Sequence, residues 1–131
     1  MFFHIQLIDD LSRPEKRQQS RPDHWRYFDD HKNNFVARGA TTNESGDQFL
    51  SSVLFVEFDD WEDVQEFIDN EPNNRNGVYS AVYIRRWHKA LDRLQRDFPR
   101  TEGQTNWYIR GYGKAGVHQK RQDLLESHRA Y

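Results

Sequence analysis

The sequence predicts an α+β protein with a four-stranded antiparallel sheet, and three observations lead to this fold class. The length of 131 residues corresponds to one domain. Segments with strand-like and helix-like apolar spacing follow one another in the order β-α-β-β-α-β, which is the ferredoxin-like plan. Only 35% of the residues are hydrophobic and 31% are charged, but 15% are aromatic, and large rings fill a core from few positions. Disordered chains are poor in aromatic residues, so the composition favours a folded domain.

The first half of this plan lies within residues 2 to 47. Phe2–Ile8 alternates around two polar positions and predicts the first strand. Pro14–Asn33 has helical spacing, and Pro22 in its middle either kinks the helix or starts a second piece. Phe35–Gly39 predicts the second strand. Thr41–Asp47 is rich in turn residues and predicts the connection to the third strand.

The second half supplies two more strands and a helix. Ser52–Phe58 is strongly apolar and predicts the third strand. Asp59 or Asp60 then caps a helix. The apolar face of this helix consists of Trp61, Val64, Phe67 and Ile68. Asn70–Gly77 is a polar loop, and Val78–Trp87, rich in Val, Tyr and Ile, predicts the fourth strand.

The predicted strands are apolar on both faces. The third strand has Val53 and Phe55 on one face, and Leu54, Val56 and Phe58 on the other. The fourth has Val78, Val82 and Ile84 on one face, and Tyr79, Ala81, Tyr83 and Trp87 on the other. Two helices cover only one face of a sheet, so the second face needs its own cover. We therefore expect a homodimer or higher homo-oligomer with sheets packed face to face, or an internal duplicate in the same role.

An internal repeat supports such a duplicate. At an offset of 104 residues, 6 of 25 positions are identical. The repeated residues are Ile109, Lys120, Arg121, Gln122, His128 and Tyr131, which fall on Ile5, Lys16, Arg17, Gln18, His24 and Tyr27. The repeat predicts a first unit over residues 1–89, a connection over 90–103 and a partial second unit over 104–131. In that second unit we expect a strand at Trp107–Tyr112 and a helix at His118–Tyr131.

Three interpretations of the end of the chain stay open. The second unit is degenerate and completes a partner's structure, the chain is part of a longer tandem protein, or the repeat is a coincidence in a terminal helix. The connection, roughly Trp87–Phe98, is predicted to be helical.

Composition excludes several classes of protein. The chain has no cysteine, which excludes disulfides, thiolate metal sites and cysteine nucleophiles. No apolar run approaches the roughly 18 residues of a membrane span, and the first residues lack the basic and apolar regions of a signal peptide. We therefore expect a cytoplasmic protein that does not contact membranes.

The charge pattern does not favour nucleic-acid binding. Residues 1–65 carry 7 basic and 13 acidic groups, and residues 66–131 carry 12 basic and 8 acidic groups. The basic residues of the second half are interleaved with Asp92, Asp97, Glu102, Asp123 and Glu126. This mixture is typical of a solvated helix surface, so no nucleic-acid partner is predicted.

Known motifs for metals and phosphates are missing. Six histidines are present, and His24 and His31 are seven residues apart, but no third ligand stands at a metal-binding spacing such as HExxH. Neither GxGxxG nor GxxxxGK occurs among the seven glycines, and there is no GxSxG. The sequence predicts no metal site and no cofactor.

Four stretches carry motifs of one known family. Lys16–Tyr27 fits the pattern K-R-x-x-x-R-P-x-H-x-x-Y, and Ala37–Gly39 matches an A-G at the end of a second strand. Val53–Asp59 matches a third strand, and Phe67–Trp87 is similar to F-x-x-x-D-P-Y-x-x-A-G-V-Y-x-x-V-x-I-x-P-W. In these motifs residues 1–89 resemble the YCII-related family.

The resemblance implies a ferredoxin-like fold that assembles as a dimeric α+β barrel. It also implies a small enzyme with a histidine–aspartate centre, and at least one relative removes chloride from a chlorinated hydroxyquinone. The family's histidine matches His24, and the aspartate of its D-P motif matches Glu71, one methylene longer. Asn73 stands where the family has tyrosine, and Ala40 stands where it has proline.

The same residues suit acid–base chemistry on an aromatic molecule. The imidazole of His24 can exchange a proton near neutral pH, and a carboxylate such as Glu71 would orient it, with Asp69 as the competing candidate. Arg21 would bind an anionic substituent. The rings expected to line the substrate pocket are Trp25, Tyr79 and Tyr83, although such rings also serve as core.

Two classes of function remain from the sequence. The first is a cofactor-free lyase, dehydratase, dehydrohalogenase or isomerase that acts on a small aromatic or quinonoid molecule, as in aromatic catabolism. The second is a non-catalytic module that binds a small ligand or a partner protein. Glu71 and Asn73 favour the second class, and His24 favours the first.

Overall fold

A computed structural model describes residues 1–90, 92–98 and 101–130. The strands are β1 (Phe2–Asp9), β2 (Phe35–Thr42), β3 (Phe49–Glu57) and β4 (Tyr79–Arg86). The helices are α1 (Glu15–Asp30), α2 (Trp61–Asp69), α3 (Pro72–Arg75), α4 (His118–Asp123) and α5 (Leu125–Ala130). Single 3-10 turns occur at Lys32–Asn34 and Gln95–Asp97.

The four strands form one antiparallel sheet in the order β2-β3-β1-β4. With α1 between β1 and β2 and α2 between β3 and β4, this is the ferredoxin-like topology, which confirms the predicted fold class. In the described part of the chain no helix is long and apolar enough to cross a membrane.

The core lies between the sheet and the helices. On β1, Phe3, Ile5 and Leu7 point to the helices and are completely buried. The other core side chains come from β2, β3 and the two long helices: Phe28, Phe35, Leu54, Val56, Val64, Phe67 and Ile68. The strand alternation predicted from the sequence therefore holds for β1 and β3. The helices do not cover the opposite face of the sheet, which we call the open face.

Helix α1 runs through Pro22 without a break. A proline in a helix removes one backbone hydrogen bond, which is why the sequence suggested a kink or two pieces. The helix is continuous because Ser20, His24 and Phe28 are buried along one side of it, on both sides of the proline. Packing of a helix face outweighs local propensity here.

The polar loop predicted at Asn70–Gly77 contains the short helix α3. Pro72 is its first residue, where the missing N–H of proline costs nothing. Gly77 follows with φ +67°, a left-handed conformation that glycine adopts without strain, and this turns the chain into β4. Residues 70–77 are thus an ordered corner of the structure.

Tyr79 corrects the predicted face assignment of β4. The pairing of β1 with β4 shifts between Ile8 and Asp9, so that Asp9 is opposite Tyr79. This irregularity turns Tyr79 to the helix side, where it packs against the core. Tyr83 stays on the open side as predicted.

The helical connection predicted at Trp87–Phe98 is wrong for the residues that the structure describes. Only Gln95–Asp97 forms a 3-10 turn, and residue 91 lies outside the described residues. The reason is lack of packing: Phe98 is exposed, and helices this short need a buried face for their stability. The connection is held instead by the side chain of Gln95, which accepts a hydrogen bond from the backbone N–H of Arg38 in β2 at 2.9 Å.

The predicted strand at Trp107–Tyr112 is also wrong. Its counterpart β1 pairs with a strand on each side, whereas residues 107–112 have no backbone ladder in the described part of the chain. The helix predicted at His118–Tyr131 is present as α4 and α5, with a break at Leu124; Tyr131 lies outside the described residues.

Residues 107–112 nevertheless lie on the open face of the sheet, and they do so in the register of the repeat. His4 Nε2 and the Tyr108 hydroxyl are 2.9 Å apart, and Arg110 donates to Gln6 Oε1 at 2.5 Å; both pairs are 104 residues apart, the offset of the repeat. Tyr108 also contacts the ring of Phe55 on β3. Burial, and then the charges of Arg110 and Arg85, lower the pKa of His4.

The outer side of the same segment is uncovered. Trp107 and Ile109 are 82% and 87% exposed, whereas their counterparts at the repeat offset, Phe3 and Ile5, are both 0% exposed. Tyr108 and Arg110 face the sheet, and their counterparts His4 and Gln6 lie on the open face of β1. Trp107 and Ile109 face solvent, and their counterparts Phe3 and Ile5 lie on the core face of β1.

Candidate active site

A buried histidine–carboxylate pair joins α1 to the corner before β4. His24 Nδ1 and Glu71 Oε1 are 2.6 Å apart. His24 is 8% exposed and Glu71 is 0% exposed. Helix α1 holds His24 on its buried side, one turn before Phe28, and the two rings lie 4.1 Å apart. The pairing of His24 with Glu71 rather than Asp69 agrees with the residue match made from the sequence.

The backbone of α3 holds the Glu71 carboxylate in place. Glu71 is the N-cap of this helix, and its Oε1 and Oε2 accept the backbone N–H groups of Asn73 at 3.0 Å and Asn74 at 2.8 Å. Together with the His24 ring, these are three donors, which offset the cost of burying a carboxylate. One side chain thus shapes the corner and orients the imidazole.

This arrangement determines which imidazole nitrogen is free. A carboxylate accepts hydrogen bonds, so Nδ1 of His24 carries the proton that it shares with Glu71. Nε2 makes no hydrogen bond to the described residues, and no buried side-chain nitrogen or oxygen among them lacks a partner. Nε2 is therefore accessible, and in a neutral ring it is the basic nitrogen.

His24 lines a pocket between α1 and the strands β2 and β3. The pocket has a volume of about 400 Å³, within the range of small-molecule sites. Its walls are Arg17, Arg21, His24, Trp25, Phe28, Arg38, Gly39, Ala40, Phe49, Ser52, Leu54 and Asn73. The space and the apolar rings suit a molecule with one aromatic ring.

A chain of polar side chains supports the inner wall of the pocket. The Ser20 hydroxyl donates to Asn73 Oδ1, and Asn73 Nδ2 donates to the Tyr79 hydroxyl at 3.1 Å. The Tyr79 hydroxyl in turn lies 3.4 Å from Ser52 Oγ. Burial, and then the nearby charge of Glu71, raise the pKa of Tyr79. Tyr79 therefore remains a neutral phenol that fixes Asn73, with no role as a base.

At the far end of this chain lies an arginine–aspartate pair. Arg17 Nη1 donates to both carboxylate oxygens of Asp9, at 2.8 and 2.9 Å, and Nη2 donates to Ser52 Oγ at 2.9 Å. Both side chains are largely buried. Burial raises the pKa of Asp9, and the charge and hydrogen bonds of Arg17 oppose that effect.

Five of the six residues predicted for the site lie in the pocket or behind its wall. His24, Arg21 and Trp25 line the pocket, and Glu71 contacts His24 behind its wall. Tyr79 contacts the wall from behind.

Two other predictions from the sequence are wrong in position. Tyr83 is 45% exposed on the opposite face of the sheet, beside Gln6, because side chains alternate along a strand. Asp69 accepts a hydrogen bond from Gln65 on the exposed side of α2 and does not reach His24.

Four pocket or support residues were missed: Arg17, Arg38, Asn73 and Asp9. Arg17 precedes Arg21 by four and His24 by seven, and this helical spacing places the three on one face of α1. Arg38 lies inside the motif around Gly39. Asp9 follows Phe3, Ile5 and Leu7 in the alternation of β1 and so lies on the helix side, but no pattern in the sequence shows that Arg17 approaches it.

Among the described residues, no cluster of three His, Asp or Glu side chains is arranged to hold a metal ion. His31, considered with His24 as a metal ligand, instead contacts the backbone carbonyl of Tyr27 through Nδ1 at 2.8 Å.

Comparison with known proteins links the fold to a family. A family model described as the YCII-related domain matches residues 1–88. Among solved structures, 5-chloro-2-hydroxyhydroquinone dehydrochlorinase of Burkholderia phenoliruptrix, in complex with 2,5-dihydroxybenzoquinone, is similar with a TM-score of 0.62 and 25% identity. The match covers 67% of this chain and 94% of that one. A comparison with curated proteins gave no match.

Proposed function

The chain belongs to the YCII-related domain family, and on that premise we propose that it is a small enzyme that eliminates a small group from an aromatic or quinonoid molecule by acid–base chemistry. The reaction class is that of a lyase, such as a dehydrohalogenase or dehydratase, or of an isomerase. His24 is the proton-transfer group and Glu71 is its positioning residue. The proposal extends to a catalytic role in the cytoplasm, with residues 107–112 rather than the sheet of a second copy against the open face.

One observation supports this function most strongly. The Nδ1 side of His24 is occupied by a buried carboxylate, while Nε2 is accessible in a pocket of about 400 Å³ lined by aromatic rings. A histidine that served packing alone would need no buried charge behind it, since such a charge is costly to bury.

The proposed step conserves atoms and electrons without an oxidant or reductant. Nε2 of His24 takes the proton of one ring hydroxyl and returns it to the ring carbon that bears the leaving group, so that the ring becomes its keto tautomer and this carbon becomes tetrahedral. Nε2 then takes the proton of a second ring hydroxyl, the electron pair of that O–H bond forms a new C=O bond, and the ring double bonds shift toward the tetrahedral carbon. The leaving group, halide or hydroxide, departs from this carbon with the electron pair of its own bond, and the product is a quinone. Glu71 stabilises the imidazolium that forms, as the carboxylate does in other histidine–carboxylate pairs. His24 then passes its proton to water.

The structurally similar dehydrochlorinase supports the choice of substrate class. Its name gives a chlorinated hydroxyhydroquinone as its substrate and its structure contains a dihydroxybenzoquinone. We extend to this chain only the common chemistry, a single oxygen-substituted ring.

Substitution of His24 tests the proposal. Purified protein is incubated with 5-chloro-2-hydroxyhydroquinone and related halogenated and hydroxylated rings, and release of halide is followed with an ion electrode. We expect turnover by the natural chain and a loss of roughly 10²–10⁴-fold in His24→Asn, the usual contribution of a proton-transfer group. His88→Asn is the matched control, because His88 is exposed outside the pocket.

Unchanged turnover in His24→Asn would overturn the catalytic role. Absence of turnover together with specific binding of the same rings would support the second candidate, a ligand-binding module. The buried Asn73, in place of the family's tyrosine, is the observation that favours this second candidate.

A further inference from the structure

The pocket around His24 carries more positive charge than a neutral ring requires. Among the residues that the structure describes, three arginines line it, Arg17, Arg21 and Arg38, and no acidic side chain does. Arginine is the residue best suited to planar anions, because its guanidinium offers parallel donors to a carboxylate. The three guanidinium groups differ in how many of their donors are free to bind a ligand.

Arg17 is not available. Its Nη1 is engaged by both oxygens of Asp9, and its Nη2 by Ser52. The charge of this arginine is neutralised inside the protein, and its donors hold the inner wall.

Arg38 and Arg21 are available. Arg38 contacts Asp29 at 3.3 Å, but both side chains are well exposed to solvent, where an ion pair contributes little. Arg21 makes no ion pair with the described residues. Two guanidinium groups at the pocket thus have free donors.

Aromatic rings hold both of these arginines in position. The Arg38 Cζ lies 5.4 Å from the Phe28 ring centroid and 5.0 Å from that of Phe35. The Arg21 Cζ lies 5.8 Å from the Trp25 ring centroid. A cation held against an aromatic ring keeps hydrogen-bond donors free on its other sides, so less further ordering is needed when an anion binds.

His24 and Arg38 both lie against Phe28, and all three line the pocket. The Phe28 ring centroid is 4.1 Å from that of His24 and 5.4 Å from the Arg38 Cζ. A ligand ring bound against Phe28 would therefore have His24 and an arginine as neighbours of its substituents.

We propose that the pocket selects aromatic molecules that carry a carboxylate, and that Arg21 and Arg38 are the residues that bind this carboxylate. The inference rests on the proposed function for the same site. It narrows the substrate class from oxygen-substituted rings to ring carboxylic acids. Arg21 and Arg38 determine specificity, and neither takes part in the proton transfer by His24.

A matched pair of ligands tests this inference by binding alone. Isothermal titration calorimetry at pH 7.5 compares 2,5-dihydroxybenzoate with 2,5-dihydroxybenzamide, which has the same shape without the charge. We expect the acid to bind at least tenfold more tightly than the amide, the difference made by one charge-assisted hydrogen-bonded pair. Raising the salt concentration should lower the ratio of the two affinities, because salt screens the charge interaction.

Variants assign the effect to the two arginines. Arg21→Gln and Arg38→Gln should each lower the affinity for the acid about tenfold and change the affinity for the amide less than threefold. Arg21→Lys keeps the charge but loses the planar fork, and we expect a smaller loss. Arg26→Gln is the control, since Arg26 lies on α1 outside the pocket and pairs with Asp23 at the surface. Thermal melts show which variants are folded.

The results separate this inference from the proposed function. Equal affinity for the acid and the amide, failure of both to bind, or an equal loss in Arg26→Gln would overturn the carboxylate selectivity. A preserved acid-to-amide ratio in a protein that turns over none of the tested rings would support the selectivity and contradict the enzyme.

Discussion

At the residue scale, Glu71 connects the stability of the protein to the orientation of His24. Its carboxylate accepts two backbone N–H groups of α3 and the Nδ1–H of His24. Glutamine has the same size, but its NH₂ group is a donor and cannot accept hydrogen bonds from these N–H groups. We therefore predict that Glu71→Gln lowers the free energy of unfolding by about 1–3 kcal/mol. Urea unfolding measures this loss. Glu66→Gln, on the exposed side of α2, is the control and should change little.

The same substitution should lower turnover with the ring substrates. Glu71→Asp keeps a good N-cap residue and the family's own carboxylate, so we expect it to retain more stability and more activity than Glu71→Gln. Equal stability and turnover in all three proteins would mean that the carboxylate has no role in either property.

Asp9 gives the protein a pH-dependent stability of defined sign. Burial raises its pKa, so the folded state binds the proton of Asp9 more tightly than the unfolded state does. The stability that this group contributes is complete below its unfolded pKa and is lost as the pH rises through its folded pKa. Asp9→Asn mimics the protonated form, and we predict that the stability of the natural chain relative to this variant falls as the pH rises above the ordinary pKa of an aspartate.

Urea unfolding of both proteins at three pH values above the ordinary pKa of an aspartate provides the measurement. An advantage that grows with pH would show that the attraction of Arg17 for the Asp9 carboxylate exceeds the cost of burying it.

At the element scale, the start of helix α2 is determined by its local sequence. The sequence left Asp59 and Asp60 as alternative caps, and in the structure the Asp63 N–H donates to Asp60 Oδ1 at 3.0 Å. We predict that Asp60→Ala costs about 1 kcal/mol of stability, the usual value of an N-cap, while Asp59→Ala costs much less. Thermal unfolding of the two variants separates them, and equal losses would contradict the assignment of the cap.

Elements with regular apolar spacing were predictable, and those decided by distant contacts were not. Phe2–Ile8 and the α2 face were clear from periodicity, and the order of elements then gave the topology. Pro22 misled because the packing of His24 and Phe28 was invisible in the sequence. Trp107–Tyr112 has strand-like composition but pairs with no strand in the part of the chain that the structure describes.

The candidate site divides in the same way. His24 and Glu71 could be found because the residues around each match a family motif, although no spacing in the sequence shows that they meet. Tyr79 could not be assigned correctly, because the irregular pairing at Asp9 turns it to the helix side, away from the face that it was predicted to share with Tyr83. Arg38 comes to the pocket only through the pairing of β2 with β3.

At the scale of the whole molecule, the open face of the sheet is the surface through which two copies of the chain would associate. Tyr108 and Arg110 cover His4 and Gln6, which a second sheet would otherwise contact. We predict that removal of residues 104–131 increases self-association, measured by sedimentation velocity at micromolar concentration. Tyr108→Ala combined with Arg110→Ala should act in the same direction.

Ile109→Ala is the control for this prediction, because Ile109 points away from the sheet. The prediction would be contradicted by a truncated chain that remains monomeric at concentrations where the full chain is also monomeric. In that case the open face does not attract a second copy.

The contacts between the tail and β1 also set an order of events during folding. They join residues 104 positions apart, and closing so long a loop costs more chain entropy than forming the hairpin of β2 and β3. Tyr108 finds its partners only after β1 and β3 are side by side, because it contacts both His4 and Phe55. Docking of the tail is therefore a late step. During synthesis the sheet can form while its outer face is still bare, because residues 107–112, which cover that face, are made after the four strands.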